Sequence, residues 1–228
     1  MDSMYKILME LPLFKGVSRS RISAIVEKAK FHFLKYLPGE TLITAGDPCT
    51  HIKFIISGSV RSEAVNASGR FRIAQTLKAP GVIAPDFLFG RITSYPSTVT
   101  AIEPTGILQI SKNEYVTMLQ SDEVFLFNFL NLISMNAQKG VDGILSLTNG
   151  SLEERIAYWV VALTQRAGTD ITLSCRTKDL YTMFGVQRSS FIAVLDNMQS
   201  RGLLEYDNHE IRFLDRRKLA DILLANNE

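Results

Sequence analysis

Four consecutive polar residues, from Gln187 through Arg188 and Ser189 to Ser190, are the part of this sequence best suited to binding another molecule. The guanidinium of Arg188 carries five hydrogen-bond donors, and its amide and hydroxyl neighbours both donate and accept. At the start of a helix, such groups can reach base edges in the major groove of DNA. They predict contact with DNA if the surrounding chain presents them on an exposed helix end.

The segment TKDLYTMFGVQRSSFIAVLDNM (177–198) supplies two helices for that purpose. Gly185 can adopt the positive φ with which a chain leaves one helix and turns into the next. The apolar residues recur three or four apart, as on packed helix faces: Leu180, Phe184, Val186, Phe191, Val194 and Leu195. The pattern predicts a helix-turn-helix, although the apolar spacing alone also fits an ordinary helical hairpin.

Two short β runs, 203–206 and 210–214, follow the second helix around the polar turn Asp207-Asn208-His209. Two helices followed by such a hairpin predict a winged helix-turn-helix. Tyr181 departs from this motif, because the packing of its helices usually requires a small residue there. Either the angle between the helices opens or the ring leans outward.

Residues 30–110 are predicted to form β structure, because glycine and Asx turns interrupt them at short intervals. The strands between the turns include 51–57, 59–65 and 71–77. Regular turn spacing favours a compact antiparallel barrel or jelly roll.

A long helix is predicted from about Asp122 onward. Apolar or small residues recur along it at alternating spacings of four and three, the repeat of a coiled coil: Leu126, Leu130, Ile133, Ala137, Gly140, Ile144 and Leu147. We expect a two-fold dimer through this seam, because a helix-turn-helix usually reads paired half-sites. The alternative is a helix that lies on the barrel, and Phe125, Phe129 and Leu132 could make that contact on a second face.

Thr148-Asn149-Gly150 breaks the long helix, and Ser151 with Glu154 has the spacing of a capping box for the next one. The domain boundary is therefore expected near 149–151. We predict an α+β chain in three parts: an antiparallel β-roll at 1–120, a dimerisation helix at 121–148 and a winged helix-turn-helix domain at 149–228.

Composition indicates an ordered globular protein. The 228 residues are 46% hydrophobic, which is enough for two modest domains with buried cores. The formal net charge is +2, and residues 151–228 carry ten Lys or Arg against eleven Asp or Glu. Residues 176–201 are locally positive within a segment that is not basic in bulk, which argues against non-specific, salt-driven DNA binding and leaves room for sequence-specific binding.

Cys49 and Cys175 lie far apart in the chain and form neither a disulfide framework nor a zinc motif. The chain start lacks the pattern of a secretory signal, and no window reaches the roughly 18 apolar residues of a membrane span. We expect a cytoplasmic protein without membrane contact. No motif for a catalytic nucleophile, a metal-binding helix or a phosphate loop appears, so no enzyme is predicted.

The order of these parts resembles that of the Crp/Fnr family of bacterial transcription regulators. Four phrases carry the resemblance: LPLFKGVS, GDPCTHIKFIISGSV, LEERIAYWVVAL and RTKDLYTMFGVQRSSFIAVLDNMQSRGLLE. It implies a homodimer on a pseudo-palindromic operator in double-stranded DNA, with RNA polymerase as a further partner and an unknown small-molecule effector or none. The alternative is a signalling module that binds a cyclic nucleotide and acts through protein contacts.

The resemblance also implies roles for single residues. An arginine at the position of Arg188 donates to a guanine edge in this family. The glutamate that usually follows is Ser189 here and a second reading position is Ala193, so the best-known half-site of the family is not expected. Positions that bind phosphates and set register correspond to Gln187, Ser190, Thr177 and Lys178.

Family members that bind cyclic AMP use a glutamate for the ribose hydroxyl and an arginine for the phosphate. The corresponding stretches here are VIAPDFLF (82–89) and SYPSTV (94–99), which place Tyr95 at the arginine position; a shifted alignment would bring in Arg91. A buried phosphate without a cation is poorly compensated, so cyclic AMP binding is disfavoured. The expected effector pocket would be lined by Ala84, Pro85, Asp86, Tyr95, Ser97 and Gly140.

Other cofactors are disfavoured as well. Oxygen-sensing members hold an iron–sulfur cluster on four cysteines, whereas this chain has two. Cys49 and His51 could face the same side of a strand as a haem or metal pair, but haem-binding relatives keep such a pair elsewhere. We expect a structural cysteine and a surface histidine, and we predict no cofactor and no metal.

Overall fold

The structure, a computed structural model, describes residues 2–28, 30–145, 147 and 150–224. Two of the predicted hinge residues, Thr148 and Asn149, lie outside the described residues. The contacts divide the chain into two compact units. The first unit is drawn from 1–62 and 77–136, and the second from 63–76 and 137–228. The three predicted domains are not tested by this division and stay a prediction.

Helices and strands follow one another in the order expected for a β-roll, a long helix and a winged helix-turn-helix. The first part of the chain contains α1 (Asp2–Glu10), α2 (Arg19–Lys28), β1 (His32–Tyr36), β2 (Thr41–Ile43), β3 (His51–Ser57), β4 (Ser59–Val65), β5 (Arg72–Lys78), β6 (Gly81–Ile83), β7 (Thr98–Ala101), β8 (Thr105–Ser111), α3 (Lys112–Ser121) and α4 (Glu123–Leu145). The second part contains α5 (Leu152–Leu163), β9 (Gly168–Ser174), α6 (Thr177–Met183), α7 (Arg188–Ser200), β10 (Leu204–Tyr206), β11 (Glu210–Phe213) and α8 (Arg216–Leu224).

Antiparallel strands form the first unit, which confirms the prediction of a β-roll. One sheet has the order β1-β8-β3-β6, and β8 pairs Leu108 with Phe33 on one side and with Phe54 on the other. Strand β2 pairs with β7. The strands predicted at 51–57, 59–65 and 71–77 are observed to within one residue.

The turn between β3 and β4 requires a glycine at position 58. Gly58 has a φ of +77°, and a Cβ added there would lie 2.4 Å from the carbonyl oxygen of Pro104. A side chain would therefore be strained by the backbone conformation and would collide with a neighbouring loop. The turn predicted at Ser57-Gly58 is fixed by this close approach.

Aromatic side chains anchor the first half of α4 in the core of the first unit. The ring of Phe125 lies 5.1 Å from that of Phe14 and 5.5 Å from that of Tyr115, and Phe129 lies 5.4 Å from Tyr115. Edge-to-face contacts of this kind add to the gain from burying the rings. Phe125 and Phe129 thus make the contact expected of a second face of α4. Among the helices that the structure describes, none is long and apolar enough to cross a membrane.

Helix α5, the first complete helix of the second unit, begins with the predicted capping box. The N–H of Glu154 donates to the Ser151 hydroxyl at 3.3 Å, and the N–H of Ser151 donates to the Glu154 carboxylate at 2.6 Å. Gly150, with a φ of +82°, precedes the box. Strand β9, which pairs antiparallel with β11, was not predicted from the sequence.

Candidate nucleic-acid interface

A sharp turn joins α6 to α7. Helix α6 ends at Met183, Gly185 adopts a φ of +67°, and the N–H of Val186 donates to the carbonyl of Tyr181 at 3.0 Å. Helix α7 begins at Arg188 after an extended Gln187, whose side chain does not cap the helix. Helix α6 ends two residues before Gly185, where the first helix was predicted to end, and α7 begins within the predicted start at 187–189. The exposed Gln187 amide is not used as a helix cap.

Buried aromatic contacts fix the position of α7. The rings of Phe184 and Phe191 stack at 6.1 Å with 25° between their planes, and the ring of Trp159 on α5 meets Phe184 edge-on at 5.7 Å. Arg155 donates to the carbonyl of Phe184 and places its guanidinium 5.7 Å from the centre of that ring. Because Phe184 touches α5 and α7 at once, the recognition helix is held on a rigid support.

The predicted DNA-contacting side chains lie around the start of the two helices. Gln187, Arg188, Ser189 and Ser190 are all exposed at the first turn of α7. Thr177 and Lys178 form the first two residues of α6 and lie apart from them in the chain. The fold thus presents the donors of α7 together, and α6 adds a second, separate pair.

Two further features concern α6. The hydroxyl of Thr177 donates to the carbonyl of Asn208 at 3.2 Å, which ties α6 to the turn between β10 and β11. Tyr181 is half-buried and packs against the core of the second unit. Its ring therefore lies at the edge of the core, neither enclosed between the helices nor free in solvent.

The hairpin of β10 and β11, the wing, is built onto α7. The hydroxyl of Tyr206 donates to Asp196 at 2.5 Å, and the side-chain oxygen of Gln199 accepts the N–H of Tyr206 at 3.2 Å. At the tip, Asp207 accepts the N–H groups of His209 and Glu210, and these hydrogen bonds lower the pKa of its carboxyl. The wing is therefore ordered by its own turn and by α7.

Charged side chains at the start of α6 and on the wing form ion pairs within the protein. Arg176 donates two hydrogen bonds to Asp179, at 2.9 and 2.7 Å, which lower the pKa of Asp179 and raise that of Arg176. Both residues are exposed enough for solvent to weaken this pair. On the wing, Arg212 binds Asp170 at 2.6 Å. Neither arginine was named as a DNA contact from the sequence.

The expected effector pocket divides between the two units. Gly140 belongs to the second unit, whereas the other five positions belong to the first. Tyr95 is 5% exposed, its hydroxyl donates to the carbonyl of His51 at 2.9 Å, and burial raises its pKa. Ser97 accepts a hydrogen bond from Ser62 at 2.9 Å. The hydroxyls of Tyr95 and Ser97 therefore form hydrogen bonds within the protein itself.

The remaining pocket positions lie directly after β6, at the start of a short 3-10 helix (Pro85–Phe87). Ala84 is buried with a positive φ of 43°, and Pro85 is buried beside it. Asp86 is exposed and accepts a hydrogen bond from Asn136 at 2.6 Å. A ligand at this position would have to compete with Asn136 for the carboxylate.

The two cysteines lie in different surroundings. Cys49 is buried, and its burial raises the pKa of the thiol. His51 shares a hydrogen bond with the Thr50 hydroxyl through Nδ1 at 2.9 Å. Burial raises the pKa of Cys175 to about 11. Within the described ranges, no group of three or more His, Cys, Asp or Glu side chains is placed to hold a metal ion.

Helix α4 exposes a row of apolar and small residues. Of the predicted seam, Leu126 and Ile133 pack against the core of the first unit and Leu147 against that of the second. Four positions of the predicted seam are exposed: Leu130, Ala137, Gly140 and Ile144. The exposed row with a coiled-coil spacing is Phe127, Leu130, Ser134, Ala137, Val141 and Ile144. The predicted seam did not include Phe127 and Val141, and its role in dimerisation stays a prediction.

Two successive segments of the chain match known protein domains. Residues 33–122 match a cyclic nucleotide-binding domain, and residues 154–222 match a Crp-like helix-turn-helix domain. Electron transport regulator A of Shewanella oneidensis is 25% identical over 195 residues, which are 83% of this chain and 76% of that protein. Transcriptional activator protein FnrA of Stutzerimonas stutzeri is 24% identical over 187 residues, which are 78% of this chain and 74% of that protein.

A solved structure has the same fold. The catabolite activator protein of Thermus thermophilus superposes with a TM-score of 0.53 at 17% identity, and the match covers 94% of this chain and 99% of that one. At this identity the likeness establishes the fold alone. It confirms the predicted sequence of antiparallel sheets, long helix and helix-turn-helix.

Proposed function

The chain belongs to the Crp/Fnr family of transcription regulators, and we propose that it binds a pseudo-palindromic DNA operator as a homodimer. One observation carries this proposal. The polar first turn of α7, with Arg188 at its start, is exposed on a helix whose other side is locked by Phe191 and Leu195 in the core. A rigid helix with a polar, solvent-facing start is what insertion into a major groove requires.

Arg188 is the proposed base-reading residue. Its guanidinium can donate to O6 and N7 of one guanine, and Ser189 beside it can bind a base or a phosphate. Gln187, Ser190, Thr177 and Lys178 would hold the phosphate backbone and fix the register of α7. Because Ser189 and Ala193 replace larger polar residues of relatives, we expect fewer base contacts per half-site.

Dimerisation is proposed through the exposed row on α4. Phe127 is 58% exposed and Ile144 is 70% exposed, and Leu130, Ala137 and Val141 lie between them at heptad spacing. Apolar side chains in this arrangement bury themselves when a second copy of the helix packs against them. A two-fold dimer would present two α7 helices to two half-sites.

Selection from a pool of random DNA duplexes tests the proposal. We expect the purified full-length protein to enrich one motif with two-fold symmetry, whose half-sites lie about one helical turn apart. Binding without enrichment of any motif would contradict sequence-specific recognition. Enrichment of an asymmetric motif would contradict the dimeric arrangement but not the DNA contact itself.

The effector is proposed to be a small molecule other than a cyclic nucleotide, or absent. Tyr95 stands where cyclic AMP-binding relatives carry an arginine, and its hydroxyl is bonded to the carbonyl of His51. We therefore expect no binding of cyclic AMP or cyclic GMP in titration calorimetry. Micromolar binding of either nucleotide would contradict this and would support a cyclic-nucleotide signalling module instead. A regulator of this kind would act in the cytoplasm, with RNA polymerase as its partner.

A further inference from the structure

The hairpin between β4 and β5 belongs to the second unit, although it follows strands of the roll in the chain. Residues 63–76 are assigned to that unit, and β5 neighbours β9 in the strand order. The side-chain oxygen of Gln75 accepts the N–H of Gln165 at 2.8 Å, and the ring of Phe71 lies 5.6 Å from that of Trp159. The hairpin is therefore packed against the same core as the helix-turn-helix.

The tip of this hairpin has a fixed backbone. The N–H of Asn66 donates to the carbonyl of Phe71 at 3.0 Å, and the Asn66 side-chain oxygen accepts the N–H of Phe71 at 3.1 Å. The N–H of Gly69 donates to the carbonyl of Asn66 at 2.9 Å. Arg70 lies between these bonded residues and its side chain is exposed. The turn thus presents one guanidinium from a defined position.

The tip lies against one face of α6. A cavity of about 250 Å³ is lined by Ser68 and Arg70 of the tip and by Arg176, Asp179 and Met183 from the start and one face of α6. The latter three positions recur at the spacing of a single helix face. Arg70 is consequently held next to the helix that carries the proposed phosphate contacts.

Positive charge exceeds negative charge around this cavity. The carboxylate of Asp179 binds Arg176, and that hydrogen bond lowers its pKa; the charges of Arg70 and Lys178 lower it further. Two cationic side chains, those of Arg70 and Arg176, therefore line the cavity beside the one carboxylate of Asp179. With the charge of Arg176 balanced by Asp179, the charges of Arg70 and Lys178 are left to attract an anion.

We propose that Arg70 is a DNA phosphate contact, so that the β4–β5 hairpin extends the DNA-binding surface beyond the helix-turn-helix. The proposal rests on the proposed function. Arg70 binds a backbone phosphate near the start of α6, and the rigid turn limits the entropy lost on binding. Because a phosphate carries no sequence information, Arg70 adds affinity equally at every sequence.

The test measures the salt dependence of DNA binding by full-length Arg70→Gln. The probes are the duplex enriched by the wild-type protein and a shuffled duplex of the same length. Each phosphate contact contributes about 0.9 to the slope of log K against log salt, so the loss of one per protomer makes the slope less negative by about 1.8 per dimer. Affinity for both duplexes is expected to fall by the same factor, roughly 60-fold at 0.1 M salt for an unchanged affinity at 1 M salt.

Arg72→Gln is the matched control, because it removes the same charge from the same hairpin. Arg72 pairs with Glu63 across the hairpin at 3.5 Å and is expected to keep the wild-type slope. A wild-type slope for Arg70→Gln on an enriched duplex, or an equal change for both variants, overturns this inference alone. A wild-type protein that binds neither duplex overturns the proposed function and this inference with it.

Discussion

Arg188→Ala is expected to reduce the sequence selectivity of DNA binding strongly while the protein stays folded and dimeric. A bidentate contact between arginine and guanine discriminates against other bases by about 1–3 kcal/mol. A two-fold dimer makes this contact twice, so the ratio of specific to non-specific affinity should fall by roughly 30-fold to 10⁴-fold. The side chain is exposed, so the core beneath α7 keeps its packing.

Competition binding with the enriched duplex and a shuffled duplex measures this ratio. Lys178→Ala is the control, since loss of a phosphate contact should weaken binding to both duplexes by the same factor. Unfolding midpoints of both variants are expected to match that of the wild type. The reading role of Arg188 is wrong if Arg188→Ala keeps the wild-type ratio.

Ile144→Glu is expected to convert the dimer into monomers at micromolar concentration. Ile144 is 70% exposed on the protomer, so the substitution removes little packing within one chain. In the proposed dimer it is buried twice by symmetry, and burial of each isoleucine contributes about 1.5–3 kcal/mol. Two buried carboxylates would add a further penalty. The dimer dissociation constant should therefore rise by at least about 100-fold.

Sedimentation velocity at several protein concentrations measures this change. Met135→Glu is the matched control, because Met135 is 47% exposed and lies nine residues away, on the opposite side of α4. It is expected to leave the dimer intact. DNA binding should weaken in parallel with dimerisation in Ile144→Glu. A stable dimer of this variant would place the interface on another surface.

Local sequence was sufficient for the helix-turn-helix. Leu180, Phe184, Phe191 and Leu195 were predicted to pack together, and all four are buried in one core. Gly185 was predicted to supply the turn and has a φ of +67°. These features depend on residues close in the chain, where helix periodicity and glycine geometry act directly. The capping box at Ser151 was predictable for the same reason.

Contacts between distant residues were not predictable. Tyr95 was placed in the effector pocket because of its position relative to known motifs, yet its hydroxyl is bonded to the carbonyl of His51. Similarly, alternation at Phe71 and Ile73 predicts a strand but does not identify its neighbour. That neighbour is β9, which begins at Gly168 and is encoded some 90 residues further on. The pattern of a single sequence does not tell which distant strands pair with each other.

The sequence by itself determined the order of the β-roll, the long helix and the winged helix-turn-helix, and the polar chemistry at the start of α7. Helix, turn and cap signals depend on residues close together in the chain. On the long helix the sequence predicted one dimer seam, from Leu126 to Leu147, and a second apolar face for contact with the barrel, since one helix can carry apolar residues on more than one face. Tertiary structure decided that only part of the predicted seam is exposed, because packing of Phe125 and Phe129 against the first unit sets the rotation of α4. Tertiary structure also decided that Arg70 lies beside α6, because only folding brings residue 70 next to residue 179.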